Sequence, residues 1–159
     1  MIVVTGLPRS GTSLMMQMLA AGGLPVLRDD AGPYRERYEY TPAMGSGDWL
    51  DCDKGHAVKV VEDWLRYLPG DLNCKVVAMK RDAREVAASR GYSVQDAEEA
   101  YGRLHAWLRG RDRLFVFHSR LMGDPDPEIA RINTYLGGSL DTAAMARVID
   151  RSLWHHRAA

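Results

Sequence analysis

The chain has 159 residues with 21 Lys+Arg against 21 Asp+Glu, 46% hydrophobic and 26% charged residues, the profile of one ordinary soluble domain spanning 1–159. A chain of this length buries roughly 70% of the surface its unfolded form exposes, so its core needs neither metal nor disulfide, and two cysteines, Cys52 and Cys74, fit a reducing, cytoplasmic compartment. A formal charge of zero excludes a general nucleic-acid coat, and apolar runs of a few residues after a start without a basic leader give no expectation of a signal peptide or membrane span.

Ile2 to Thr5 is an apolar β-branched run ending at Gly6, the pattern of a buried strand. Leu14 over Met18 and Met15 over Leu19 then predict a helix that Gly22-Gly23 stop. Residues 28 to 56 are polar and broken by Pro33, Pro42, Gly45 and Gly47, which predicts a long surface loop. Ala57 to Val61 and Asn73 to Met79 are the second and third strands. Asp82 and Glu85 then stand at capping-box spacing before a helix. Ala97, Tyr101, Leu104 and Leu108 share one helical face, predicting a helix over 94–109, and Leu114 to Phe117 is a fourth strand. Ile129, Ile132 and Leu136 predict a helix closed by Gly137-Gly138; Leu140, Ala144 and Val148 predict a last one. Strands alternating with helices imply a three-layer α/β fold of the P-loop type, about four parallel strands covered on both faces.

The chemistry concentrates in G-L-P-R-S-G-T-S at 6–13, between the first strand and the first helix. Glycines five apart let the backbone curl so that successive N–H groups point inward, and the helix start adds partial positive charge, so the turn suits an anion. The hydroxyls of Thr12 and Ser13 stand at the helix opening. The nucleotide-hydrolase version, G-x-x-x-x-G-K-[ST], carries a lysine where this chain has Thr12, and here the cation is Arg9. The third strand runs into Lys80-Arg81 and the fourth into His118-Ser119, so neither offers a Mg²⁺-binding carboxylate. An anion handled by basic residues and hydroxyls fits better than ATP hydrolysis. A small P-loop nucleotide kinase and a non-catalytic nucleotide-binding protein are the rival readings.

K-R-D-A-R-E-V-A-A-S-R at 80–90 completes the pattern: Arg81 follows the third strand and Ser89 lies eight residues on. The pair of motifs resembles those of the sulfotransferases that use 3′-phosphoadenosine 5′-phosphosulfate (PAPS). The tail, L-G-G-x-L-D followed by V-I-D-x-S-L-W, is similar to that of small bacterial members, and the matched segments run from residue 2 to about 157. The resemblance implies a metal-independent, in-line transfer of the sulfuryl group to a hydroxyl or amine acceptor, with adenosine 3′,5′-bisphosphate (PAP) as product. Pro8, Arg9, Ser10, Gly11, Thr12 and Ser13 would hold the 5′ end of the donor; Arg81 and Ser89 would hold its 3′-phosphate. Arg9 and Lys59, the latter inside A-V-K-V-V, would stabilise charge on the leaving oxygen. The competing reading of Lys59 is an edge-strand lysine facing water. For the general base the resemblance implies an acid in the long loop, Asp29 or Glu39, ahead of Asp30, Glu36 and of His56 before the second strand, each weighed against a solvated loop residue. Tyr34, Tyr38, Tyr40 and Trp49 either line an acceptor pocket or close the loop over the core, Trp107 and Trp154 read as packing residues, and His155-His156 as a terminal tail. The sequence leaves acceptor and oligomeric state open.

Overall fold

A computed structural model describes residues 1–27 and 55–154. Four strands, β1 (Ile2–Thr5), β2 (Ala57–Lys59), β3 (Lys75–Lys80) and β4 (Arg113–Phe117), form one parallel sheet in the order β2-β1-β3-β4. Ile2 pairs with Ala57 on one side and Lys75 on the other, and Val76 pairs with Arg113. The helices are α1 (Thr12–Ala21), α2 (Ala83–Arg90), α3 (Val94–Leu108), α4 (His118–Gly123), α5 (Pro125–Leu136) and α6 (Thr142–Arg147), with 3-10 segments at Glu62–Tyr67 and Arg151–Leu153. This is the expected three-layer α/β architecture.

The period-2 geometry of strands sorts side chains between two cores. Val3, Val58, Val76 and Ala78 face a cluster built by Val86 of α2 and by Ala97, Ala100, Tyr101, Leu104 and Leu108 of α3. Ile2, Val4, Val77, Met79 and Val116 face the other cluster, with Met15, Met18 and Leu19 of α1, Ile129 and Ile132 of α5 and Met145 of α6. Burial on both faces explains why the strands read as continuous apolar runs rather than alternating ones. Among the described residues no helix is long and apolar enough to cross a membrane.

Element limits move by one or two residues from the sequence expectation, and three features differ in kind. Val60 and Val61 leave the strand as the chain turns into the 3-10 segment, tied back by the Glu62 N–H to the Gly6 carbonyl at 3.0 Å. His118 and Ser119 do not end a strand; they open α4. Asp82 caps α2 through the Arg84 N–H at 2.8 Å, but no reciprocal bond from Glu85 forms, because that carboxylate is taken up elsewhere. The reciprocal capping box belongs to Ser93 and Asp96 at the start of α3.

The chain leaves β1 for α1 on one face and leaves β3 for α2 on the other, so the neighbouring carboxyl ends of β1 and β3 form a switch point, where crevices open in parallel sheets. The helical layer behind it rests on Leu104, which is 1% exposed. Leu104→Ala is expected to destabilise the chain by about 2–5 kcal/mol in urea unfolding, through lost burial and an unfilled cavity.

Candidate functional site

The turn after β1 is held open by two close approaches. A Cβ on Gly6 would lie 2.4 Å from Ser10 Oγ and 2.8 Å from the Met79 carbonyl; one on Gly11 would lie 2.9 Å from His118 Cδ2. Gly11, at φ 99°, is also the N-cap of α1 and lends it no side-chain cap, nor does the first turn hold an acidic residue. The helix start therefore keeps unpaired N–H groups and uncompensated partial positive charge at the turn. Between the glycines, Arg9 adopts φ 71°, a left-handed conformation that costs a residue with a Cβ about 1–2 kcal/mol.

Contacts from the second motif offset that strain. Arg81 donates from Nη1 to the Arg9 carbonyl at 3.1 Å, and Arg9 donates from Nε to Ser89 Oγ at 3.0 Å. The two motifs are thus one contiguous cluster, with Arg9 as the link. Ser89, the seventh residue of α2, is reached by Arg9 from the loop. The peptide groups flanking Arg81 are clasped by one phenol, since Tyr101 OH accepts from the Arg81 N–H at 2.9 Å and donates to the Arg81 carbonyl at 2.6 Å. Burial pushes the Tyr101 hydroxyl up to about 12, so it remains a neutral donor and acceptor.

Lys59 is 6% exposed although β2 lies at the sheet edge, and it donates to Ser13 Oγ at 3.1 Å. It points into the site rather than into water. His56 lies at the opposite, amino end of β2, roughly 10 Å of extended chain from Lys59, and its carbonyl accepts from the Ile2 N–H. His56 is not among the residues that line the site's cavity. Ser10 is wholly buried beneath the turn, and its hydroxyl has no hydrogen-bond partner among the described residues.

Pro8, Arg9, Gly11, Thr12, Ser13, Lys59 and Arg81 line one cavity of about 550 Å³. Asp29 and Glu39, with Tyr34, Tyr38, Tyr40, Trp49 and His155-His156, lie outside the described residues. Leu14, Gln17, Val61, Met122, Val148, Asp150 and Leu153 complete the wall. Among the described residues no three or more His, Cys, Asp or Glu side chains group so as to hold a metal ion.

Sequence reasoning left out the site's floor. His118 is 6% exposed, lines the cavity, and meets Trp154 edge-on with ring centroids 5.8 Å apart. Its position just past the carboxyl end of β4 was the available signal. Trp154, expected as a packing residue, also donates its indole N–H to Glu85 at 3.1 Å.

Neither a family model nor a curated relative matches the sequence. Solved structures do match. The crystal structure of mouse sulfotransferase SULT7A1 complexed with PAP superposes with a TM-score of 0.62 at 14% identity, over 92% of this chain and 60% of that one. Retinol dehydratase in complex with androsterone and the inactive cofactor PAP superposes with a TM-score of 0.54 at 17% identity, over 92% of this chain and 62% of that one. The chain has the fold of these sulfotransferases and spans about three fifths of their length.

Burial, with Arg81 nearby, pushes the His118 imidazole down to about 4 from its ordinary 6.5. The unfolded chain takes up this proton near pH 6.5 and the folded chain only near 4, so the neutral ring's contribution is complete above 6.5 and is lost as pH falls through that interval. Melting temperature is expected to drop across that window in the wild-type chain and to drop less in His118→Gln; equal slopes would contradict a neutral buried ring.

Proposed function

We propose that this protein is a PAPS-dependent sulfotransferase, moving the sulfuryl group to a hydroxyl or amine acceptor without a metal ion. The carrying observation is the joined cluster: Arg9, in the Gly6–Gly11 turn before the uncapped start of α1, is hydrogen-bonded to both Arg81 and Ser89, and Arg9 and Arg81 line a single cavity. The PAP in both structural neighbours supports the same reading.

The residues present suit a ligand with two anionic ends. Two glycines leave no room for a Cβ, the helix start has no side-chain cap, and the buried Ser10 hydroxyl has no partner among the described residues. Pro8 shapes the turn; Gly11, Thr12 and Ser13 would bind the 5′-phosphosulfate through backbone N–H groups and hydroxyls. Arg81 and Ser89 would bind the 3′-phosphate, with Arg9 shared between the two ends. When bound, the donor supplies the sulfuryl group and a phosphate leaving group. Lys59, held at the helix opening by Ser13, brings a fixed positive charge to the oxygen where negative charge develops, and Arg9 adds a second from the turn. Asp29 or Glu39 is the group we assign to the acceptor's proton.

The cluster's meaning is tested by a thermal-shift comparison. Adenosine 3′,5′-bisphosphate without metal is expected to raise the melting temperature, and ATP with Mg²⁺ is not; the reverse would favour a nucleotide kinase. Stabilisation by the bisphosphate with no sulfated product from PAPS and a broad acceptor panel would leave a binding protein.

Arg81→Ala is expected to weaken binding of the bisphosphate by about 2 kcal/mol, roughly thirtyfold in calorimetry, the scale of a charge-assisted contact. Arg9→Ala is expected chiefly to lower turnover. Unchanged affinity in Arg81→Ala would misplace the 3′-phosphate.

A further inference from the structure

Glu85 is a carboxylate that the proposed chemistry does not use, yet it is 6% exposed beside the site. An ionised carboxylate out of water is costly unless it is paired and hydrogen-bonded. Its sequence position suits a capping box, a mild and local use, but the structure spends it otherwise. Oε2 accepts from Arg81 Nε at 2.7 Å and from the Trp154 indole, 69 positions away in the chain, at 3.1 Å, two donors on one oxygen. Arg81 Nη1 meanwhile donates to the Arg9 carbonyl. The guanidinium is a rigid planar fork, so anchoring Nε and Nη1 on separate acceptors fixes its plane. Trp154 reaches Glu85 from beyond the 3-10 segment Arg151–Leu153, whose Leu153 lines the cavity together with Asp150, and its ring abuts His118.

We propose that Glu85 is a positioning residue: it aims Arg81 into the cavity and, through Trp154, seats the segment Asp150–Leu153 on the cavity rim. This rests on the reading in which Arg81 takes the donor's 3′-phosphate. Glu85 then acts by geometry and against its own charge, because a carboxylate beside Arg81 lowers the pull of that arginine on a phosphate.

Charge and geometry separate in two variants of the full chain. Glu85→Asp keeps the charge and withdraws the oxygen by one methylene; Glu85→Gln keeps an acceptor oxygen in place and removes the charge. The readout is the ratio of calorimetric affinities for adenosine 3′,5′-bisphosphate and adenosine 5′-monophosphate, which isolates the 3′-phosphate from general effects on folding. Glu85→Asp is expected to lower that ratio about tenfold and Glu85→Gln to leave it at the wild-type value or above. A wild-type ratio in folded Glu85→Asp overturns the proposal, as does a tenfold fall in Glu85→Gln alone. Trp154→Phe, which keeps the Arg81–Glu85 pair and removes one donor, is expected to lower the ratio about threefold. An unchanged ratio there overturns the role of Trp154, and this variant decides the matter if Glu85→Asp does not fold. Absence of any preference for the bisphosphate in the wild-type chain overturns the donor-site reading itself, and this inference with it.

Discussion

The hydrogen bond from Arg81 to the carbonyl of Arg9 ties the turn after β1 to the turn after β3, and the geometry of the site follows from it. Arg9 sits in a backbone conformation that only surroundings can hold, between glycines that admit no side chain. The arginine that restrains this turn is itself restrained on every side that its backbone presents, with Tyr101 on both flanking peptide groups. A turn prepared in this way meets an anion without first paying to organise its own N–H groups.

Charge balance explains how such a cluster coexists with a neutral chain. Arg9, Lys59 and Arg81 converge on one cavity, while Glu85 offsets part of that charge from beneath. His118, at the floor, adds none at neutral pH because burial and Arg81 both disfavour its proton. With Asp150 on the wall, the cations still outnumber the carboxylates around the described lining, a local arrangement that a net charge of zero cannot reveal.

The fold was legible because its elements are local. Ile2–Thr5 announces itself by a β-branched run, Ala57–Lys59 and Lys75–Lys80 lie in short apolar stretches, and the apolar period of 94–108 matches the face that α3 buries. The sharp turn after β1 was legible for the same reason, since glycine spacing acts within a few residues. Its wiring was not. The contact of Arg9 with Ser89 spans 80 positions and that of Trp154 with Glu85 spans 69, distances at which no spacing rule operates. Lys59 gave a partial signal, a cation among valines, but only its contact with Ser13 tells a buried cation from one in water. The capping-box spacing of Asp82 and Glu85 marked the start of α2 but not the partners of Glu85, because a buried arginine and an indole offered that carboxylate stronger donors than a backbone N–H.

The central claim is that one doubly anionic adenosine ligand bridges the two joined motifs. A crystal structure of the chain grown with adenosine 3′,5′-bisphosphate tests it most directly. The account predicts the 5′-phosphate on the backbone N–H groups of residues 6–13 and the 3′-phosphate within hydrogen-bond distance of Arg81 and Ser89. A bisphosphate bound elsewhere, or none at that turn at saturating concentration, would contradict it.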